Sequence, residues 1–152
     1  MGKPVIVVGS DHAGFALKEF VKGILTREGY RVIDEGPADS GSVDYPDYAE
    51  RVGLQVAGRP GRLGILSCGT GIGISISANK IPGIRAALVH TPREAVLSRE
   101  HNRANVLVMP GRPWSKKKTA EIVRAWLKTS FAGGRHQRRV RKIAALEKKY
   151  RA

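Results

Sequence analysis

The stretch "GILSCGTGIGISISANK", residues 64–80, decides the fold of this chain. An apolar run of strand length breaks at Cys68 into a glycine-rich turn, and a helical pattern follows over residues 71–80. A strand that passes directly into a helix is the repeating unit of a parallel α/β sheet. The same stretch contains the only cysteine of the chain and no carboxylate, so the turn is also the first place to look for chemistry.

The alternation of strand and helix continues on both sides of this stretch. Besides residues 64–67, strands are predicted at 5–9, 30–34, 84–89 and 105–110. Helices are predicted over 17–25, 48–57 and 71–80, from the Thr91-Pro92 cap onward, over 115–127 and over about 137–150. Together these elements predict a three-layer α/β/α sandwich around a five-stranded parallel sheet, with an appended C-terminal helix.

The chain is expected to form one domain over residues 1–152. No repeat or low-complexity tract divides it, and "FAGGRH" (131–136) is the nearest thing to a linker. This segment is expected to let the last helix swing away from the body. One cysteine cannot form an internal disulfide, no apolar run is long enough to span a membrane, and no secretory leader is recognised, so a cytoplasmic location is expected.

The large positive charge of the chain indicates an anionic partner. The formal net charge is +14, in a composition that is 41% hydrophobic and 26% charged and therefore typical of a globular protein. Residues 135–151 hold eight Lys or Arg against one Glu, and residues 116–118 are a second basic cluster. Nucleic acid, a membrane surface and a phosphorylated metabolite would each satisfy such a charge.

Ligands of open parallel sheets bind beyond the carboxyl ends of the strands. The turns at that edge carry Asp11 and His12, then residues 68–73, His90 and Thr91, and finally Gly111 and Arg112. The spacing of the glycines after Cys68 matches neither the dinucleotide fingerprint nor Walker A, and no arginine follows at the spacing of a cysteine phosphatase. What remains is a helix N-terminus that could stabilise an oxyanion and favour a thiolate at Cys68, although a lone cysteine can also be simple packing.

Two histidines are further candidates. His12 could equally be a capping or core residue, and His101 in "REHNRAN" could be an ordinary polar residue at a helix end. The helix that starts after Thr91 leaves the carboxyl edge and, at roughly 1.5 Å per residue, ends near the opposite edge of the sheet. His101 is therefore not expected to reach Cys68 of its own chain, and a site that uses both would be shared between two subunits.

The basic tail "GGRHQRRVRK" (133–142) permits a nucleic-acid-binding interpretation. Against it, the segment has no interleaved aromatic residues and matches no recognised DNA- or RNA-binding motif. Arg135 and Arg139 stand four residues apart, so on a helix both can point toward one phosphate group. Nucleic acid is accordingly the less favoured partner.

Several separated motifs resemble one family. "GSDHAGF", "DYPDYA", "SCGTGIGISISANK", "REHNRANVL" and "GGRHQRRV" occur in the order and spacing of type B ribose-5-phosphate isomerases, a group related to galactose-6-phosphate and allose-6-phosphate isomerases. The resemblance covers essentially the whole chain. It implies a Rossmann-like fold, a homodimer or dimer of dimers with active sites at the subunit interface, a small phosphorylated sugar as substrate, and neither metal nor organic cofactor.

The resemblance also implies a role for each matching residue. Cys68 resembles the base that moves a proton between C1 and C2 of the open-chain sugar, and the cysteine branch is indicated because no acid lies between Ser67 and Gly83. Thr70 and His101, with Asp11 nearby, resemble the groups that open the sugar ring, and the backbone N–H groups of Gly69, Gly71 and Gly73 resemble the donors to the enediolate oxygen. The resemblance implies sugar binding by Tyr45 and Asn102. It implies phosphate binding by four further residues: His12, Arg112, Arg135 and Arg139. His136 also matches a family histidine.

The expected reaction is the interconversion of ribose 5-phosphate and ribulose 5-phosphate through an enediolate. Aldose–ketose isomerisation needs a base, an oxyanion site and a proton shuttle, and the turn after Cys68 offers the first two. A six-carbon aldose 6-phosphate, either allose or galactose 6-phosphate, stays open as the substrate, because the depth of the pocket cannot be read from the sequence. Nucleic-acid binding is the alternative from a different class.

Overall fold

The computed structural model describes residues 2–151 and has the predicted alternation of strands and helices. The strands are β1 (Val5–Ser10), β2 (Val32–Asp34), β3 (Arg62–Cys68), β4 (Ala86–Leu88) and β5 (Val106–Pro110). The helices are α1 (Phe15–Arg27), α2 (Tyr45–Val56), α3 (Ile72–Ala78), α4 (Pro92–Asn102), α5 (Lys116–Lys128) and α6 (Arg135–Tyr150). Of the helices in this part of the chain, none has the length and apolarity needed to cross a membrane.

All five strands are parallel, in the order β2-β1-β3-β5-β4. Val8 of β1 is paired with Ile65 of β3, and Ile65 is paired with Leu107 of β5. The chain moves outward from β1 to β2 and then returns to the other side of β1 with β3. The strand order thus reverses between β1 and β3, and the crevice beyond their carboxyl ends is where such sheets bind ligands.

Helices cover both faces of the sheet, so the predicted three-layer α/β/α sandwich is confirmed. On one face, α1, α4 and α5 pack on β1, β3 and β5 around the fully buried Trp126. On the other face, α2 and α3 pack on the same strands through residues such as Val52 and Ile74. The central strands are apolar on both faces because both faces are covered.

The predicted helix starts are partly confirmed. The side chains of Thr91 and Ser115 accept hydrogen bonds from the backbone N–H groups of Glu94 and Lys118 at 3.1 and 3.3 Å, so both are N-caps. The prediction that α2 begins at residue 48 is wrong, since it begins at Tyr45. Its Pro46 lies in the first turn, where the missing N–H costs no helical hydrogen bond.

The expectation that α6 swings away from the body is wrong in this structure. The helix begins at Arg135, earlier than the predicted 137, and His136 and Val140 are buried against the body. Farther along, both carboxylate oxygens of Glu147 accept a hydrogen bond from the Gly83 N–H at 3.0 Å. The glycines before the helix therefore allow a tight turn and not a free hinge. The rest of its apolar stripe, Ile143, Leu146 and Tyr150, is exposed.

Candidate active site

Cys68 lies at the last position of β3, on the edge of the sheet where ligands are expected. Its side chain is buried, with 4% of the residue exposed, and the thiol is free. The next residues run through the turn to α3, and the hydroxyl oxygen of Thr70 accepts a hydrogen bond from the Ile72 N–H at 3.1 Å. That bond leaves the hydroxyl proton of Thr70 available, and the first N–H groups of α3 have no helical partner.

Two glycines of the turn have packing reasons of their own. Gly71 has a left-handed backbone (φ +78°), and a Cβ there would lie 2.5 Å from a methyl carbon of Leu88. A Cβ on Gly73 would lie 2.5 to 2.8 Å from the ring and the hydroxyl oxygen of Tyr45. The glycine content alone therefore does not argue for catalysis. The contact does place the Tyr45 phenol directly over the turn, as a sugar-binding residue would require.

Asp11 reaches the same crevice from the end of β1. The residue is buried, its Oδ1 accepts a hydrogen bond from the Gly14 N–H at 3.0 Å, and its own N–H donates to the Ser67 carbonyl at 3.2 Å. A Cβ on Gly14 would come within 2.3 Å of that Ser67 carbonyl. The turn after β1 is thus pressed against the end of β3, which brings Asp11 and Cys68 to adjoining strand ends.

His12 and Arg112 share a pocket at this edge. Both line a cavity of about 520 Å³ next to Gly111. The turn after β5 is held in place because the N–H groups of Gly111 and Arg112 donate to the carbonyls of Cys68 and Gly69 at 2.9 and 3.0 Å. The Nδ1 atom of His12 lies 3.2 Å from both the nitrogen and the oxygen of Val43, which fixes the ring and leaves Nε2 for a ligand.

Hydrogen bonds from a buried lysine hold the loop that orients His12. Lys18 on α1 is 3% exposed, and its Nζ donates to both Asp34 carboxylate oxygens at 2.9 and 3.0 Å and to the Pro37 carbonyl at 2.8 Å. Burial alone would raise the pKa of Asp34, but hydrogen bonds from Lys22, Lys18 and the Gly36 N–H outweigh it and lower the pKa. Sequence reasoning missed this anchor. A lysine among the apolar residues of α1 was the only available signal.

His101 lies at the opposite edge of the sheet. It is in the last turn of α4, and shortly after it the Asn105 N–H donates to the Arg85 carbonyl at 3.0 Å, at the amino ends of β5 and β4. The seven residues of β3 separate the two edges by about 20 Å at 3.3 Å per residue. As the helix geometry predicted, His101 therefore does not meet Cys68 of its own chain.

A second group of predicted residues gathers around His101. Its ring stacks on that of His136 with centroids 4.1 Å apart and planes 12° from parallel. His136 is in the first turn of α6, which also carries Arg135 and, one turn later, the exposed Arg139. Burial, the neighbouring His101, and the charges of Arg135 and Arg139 lower the pKa of His136, against an opposing effect of Glu100. The ring is thus kept neutral to a lower pH than usual.

The predicted site residues therefore form two groups within one chain. The carboxyl-edge cluster contains Asp11, His12, Tyr45, Cys68, Thr70, the turn glycines 69, 71 and 73, and Arg112. The amino-edge cluster contains His101, Asn102, Arg135, His136 and Arg139. Within residues 2–151, no three His, Cys, Asp or Glu side chains are grouped so that they could hold a metal ion. The first cluster offers a thiol and an anion cradle, and the second offers imidazoles and guanidinium groups.

Comparison with known proteins identifies the family. The profile of the ribose/galactose isomerase family matches residues 6–143, which is most of the chain. The chain belongs to this family. Ribose-5-phosphate isomerase B of Escherichia coli strain K12 is 48% identical over 95% of this chain and 97% of its own length.

Solved structures of family members have the same fold. Ribose-5-phosphate isomerase B of Clostridium thermocellum superposes with a TM-score of 0.93 at 48% identity, over 95% of this chain and 98% of that one. The enzyme of Mycoplasma genitalium, determined with bound ribulose 5-phosphate, superposes with a TM-score of 0.86 at 39% identity, over 98% and 99% of the two chains. The Rossmann-like fold expected from the motifs is thus confirmed for this member of the ribose/galactose isomerase family.

Proposed function

We propose that this protein is an aldose–ketose isomerase that interconverts ribose 5-phosphate and ribulose 5-phosphate. The observation that carries the proposal is the position of Cys68, at the carboxyl end of β3 beside Asp11 and a turn without carboxylates. A relative with 39% identity has ribulose 5-phosphate bound, and a relative with 48% identity is a ribose-5-phosphate isomerase B. Both relatives are matched over nearly their full length.

In the proposed reaction the Cys68 thiolate removes the proton from C2 of the open-chain aldose. The electron pair of the broken C–H bond forms the C1–C2 double bond, and the carbonyl oxygen at C1 takes up the negative charge. The N–H groups of the turn at Gly69, Gly71 and Gly73 stabilise that oxygen, which is typically the largest contribution to such catalysis. A proton then moves from the hydroxyl on C2 to the oxygen on C1, and Cys68 returns its proton to C1 to give the ketose.

Ring opening precedes this step and needs a separate proton shuttle. We assign it to Thr70 and His101, with Asp11 nearby: one group takes the proton from the anomeric hydroxyl while another protonates the ring oxygen. The free hydroxyl proton of Thr70 supports this role. The lowered pKa of His136, whose ring stacks on that of His101, supports a neutral His136 imidazole at the amino-edge cluster near neutral pH.

A second copy of the chain would complete each site. We infer a homodimer, alone or paired into a dimer of dimers, in which His101 and Asn102 of one copy meet Cys68 and Tyr45 of the other. Exposed apolar side chains on α2, α3 and α6 support a partner surface: Leu54, Ile72, Ile76, Ile143, Leu146 and Tyr150. Self-association through these helices would bury surface that is otherwise unfavourable in water.

The phosphate group would be bound from both copies. His12 and Arg112 line one pocket at the carboxyl edge, and Arg135 and Arg139 of the second copy would close over it. One arginine guanidinium group often binds a phosphate through two parallel hydrogen bonds. Because the phosphate lies far from C1 and C2, this binding energy positions the reacting carbons against Cys68. The reaction intermediates remain phosphorylated sugars, as expected of an enzyme of the cytoplasmic pentose phosphate pathway. The thiol of the one cysteine is free.

A turnover assay tests the substrate and the base together. The wild-type chain is assayed with ribose 5-phosphate, allose 6-phosphate and galactose 6-phosphate, and Cys68→Ala and Cys68→Ser are assayed alongside. We expect the highest kcat/KM for ribose 5-phosphate and a loss of about 10³-fold or more in kcat for Cys68→Ala. A higher kcat/KM for a six-carbon substrate would overturn the proposed substrate, and near wild-type turnover of Cys68→Ala would overturn the proposed base.

A further inference from the structure

Five arginines line one concave pocket that the proposed reaction does not use. The cavity measures about 680 Å³ and lies where α2 leads into β3, beside the start of β4 and the end of α4. The arginines that line it are Arg59, Arg62, Arg85, Arg99 and Arg103. No acidic residue lines the cavity, and Phe131 forms part of its wall. We call this feature the arginine pocket.

The positive charge of the arginine pocket is not neutralised by the protein. Within residues 2–151, none of the five arginines forms an ion pair with a carboxylate. Burial and then repulsion by Arg103 lower the pKa of Arg85, with Glu147 opposing the change. Burial and repulsion by Arg103 and Arg85 likewise lower the pKa of Arg99. These like charges therefore lie close enough to destabilise one another, and a bound anion would relieve that repulsion.

Backbone carbonyls fix four of the guanidinium groups without cancelling their charge. Arg59 and Arg62 each donate to the Gln55 carbonyl at 3.3 Å, and Arg99 donates through Nε to the Thr129 carbonyl at 3.3 Å. Arg85 Nε donates to the carbonyls of Asn102 and Arg103 at 3.2 and 3.1 Å. Since a guanidinium group has five N–H donors, these bonds orient the side chains and leave donors for a ligand.

Arg103 has the most distinctive setting of the five. It is the C-cap of α4 in a left-handed backbone conformation (φ 48°), and its guanidinium lies over the Phe131 ring, 5.6 Å from the centroid. Such a conformation is uncommon for an arginine. Packing against Phe131 directs the side chain to the pocket wall, where it lies close enough to Arg85 and Arg99 to affect the pKa of both.

We propose that the arginine pocket binds a small anion that carries two or more linked phosphate groups. Planar guanidinium forks match phosphate oxygens, and five of them exceed what a single phosphate can accept. The concave shape favours a small ligand over a nucleic-acid backbone, which would track along an extended basic surface. None of the proposed substrate-phosphate ligands, His12, Arg112, Arg135 and Arg139, lines this pocket, so the pocket is distinct from the proposed binding site of the substrate phosphate.

Calorimetric titration with inorganic pyrophosphate, ATP and orthophosphate at fixed salt tests the proposal. The test variant is Arg59→Gln with Arg103→Asn, since asparagine tolerates a left-handed backbone. The matched control is Lys116→Gln with Lys117→Gln, which removes the same charge from exposed residues elsewhere. We expect pyrophosphate and ATP to bind more tightly than orthophosphate, and the test variant to weaken both by at least about tenfold, because two charge-assisted contacts are lost. The control should retain wild-type affinity, and both variants should keep the wild-type unfolding temperature.

Further arms of the titration can overturn the proposal. An Arg135→Gln, Arg139→Gln variant should bind pyrophosphate normally, and a weakening there would place the anion in the substrate site instead. Equal weakening in the test and control variants would mean diffuse attraction to a basic surface. A single-stranded oligonucleotide that binds more tightly than ATP and depends on Arg59 and Arg103 would make the pocket part of a nucleic-acid surface. No binding of pyrophosphate or ATP would overturn the proposal outright.

Discussion

The carboxyl-edge cluster and the amino-edge cluster differ in how the chain builds them. The carboxyl-edge cluster stands on consecutive strand ends of one sheet, and backbone hydrogen bonds such as those from Gly111 to Cys68 and from Asp11 to Ser67 join its turns. The amino-edge cluster stands on two helix ends that meet through the stacked rings of His101 and His136. One is fixed by the sheet itself, whereas the other is brought together only by the docking of α6.

The difference shows why neither cluster is sufficient for the proposed reaction. A thiol and an oxyanion cradle lie at one edge, and imidazoles with most of the phosphate-binding charge lie about a strand length away. A single chain cannot close this distance without unfolding its sheet. A symmetric pair of chains can, because a two-fold axis places the same two surfaces against each other twice.

Mixed dimers would test the separation of the two clusters most directly. Cys68→Ala and His101→Ala subunits should each be inactive as homodimers. Unfolded and refolded together at equal amounts, they should recover about a quarter of wild-type activity, since half of the dimers are mixed and each mixed dimer has one intact site. Turnover of ribose 5-phosphate measures the recovery.

The control for this experiment is a mixture of Cys68→Ala with Thr70→Ala. Both substitutions fall in the carboxyl-edge cluster, so each of the two sites in a mixed dimer contains one of them and neither site is intact. That mixture should therefore gain no activity beyond that of its parent homodimers. A chain that carries both Cys68→Ala and His101→Ala should likewise form only inactive mixed dimers with wild-type chains, because each site then contains one of the two substitutions. If the mixture of Cys68→Ala with His101→Ala stays inactive while both subunits fold and associate, the shared site is wrong.

Removing the buried lysine should loosen the carboxyl-edge cluster alone. In Lys18→Met, Asp34 and the Pro37 carbonyl lose a donor that is 3% exposed, and we expect unfolding free energy to fall by about 2 kcal/mol. The loop that holds His12 through Val43 would also loosen, so KM should rise more than kcat falls. Denaturant titration and steady-state kinetics measure the two effects.

Lys22→Met is the matched control, because Lys22 contacts the same carboxylate at 2.7 Å but has a side chain that is 31% exposed. A solvent-exposed ion pair contributes little, so the loss of unfolding free energy should stay below about 1 kcal/mol and KM should not change. Equal effects of the two substitutions would show that the charge of Asp34, and not the buried anchor, supports the loop.

The smallest expected effect concerns acid stability at the amino-edge cluster. The folded protein holds the pKa of His136 below its ordinary value of about 6.5. Below that pH the unfolded chain binds a proton that the folded chain does not, so unfolding free energy should decline as pH falls from about 6.5. His136→Asn should reduce the dependence of the unfolding free energy on pH in this range. Denaturant titrations at several pH values between 7.5 and 5 measure that dependence. An unchanged slope would mean that His136 does not titrate differently in the folded chain.

Sequence reasoning predicted which residues share the carboxyl edge of the sheet because the pattern that places them there is local. Cys68 ends a recognisable buried strand, Asp11 and Arg112 follow two others, and parallel strands must end at a common edge. The same reasoning misjudged the start of α2, because a helix predicted to begin at residue 48 excludes Pro46, although the first turn of a helix tolerates proline. It also missed Lys18, because the loop that this lysine holds lies 16 to 19 residues away in the chain.

The sequence by itself determined the sheet, the edge at which a ligand is expected and the position of the one cysteine, since strand-length apolar runs and turn residues are encoded within short windows. Only the tertiary structure decided that α6 docks against α4, that His101 stacks on His136, and that five arginines from distant segments converge on one pocket. The physical reason is that these contacts join residues far apart in the chain. Their energy comes from packing and charge between elements, which no local pattern of residues records.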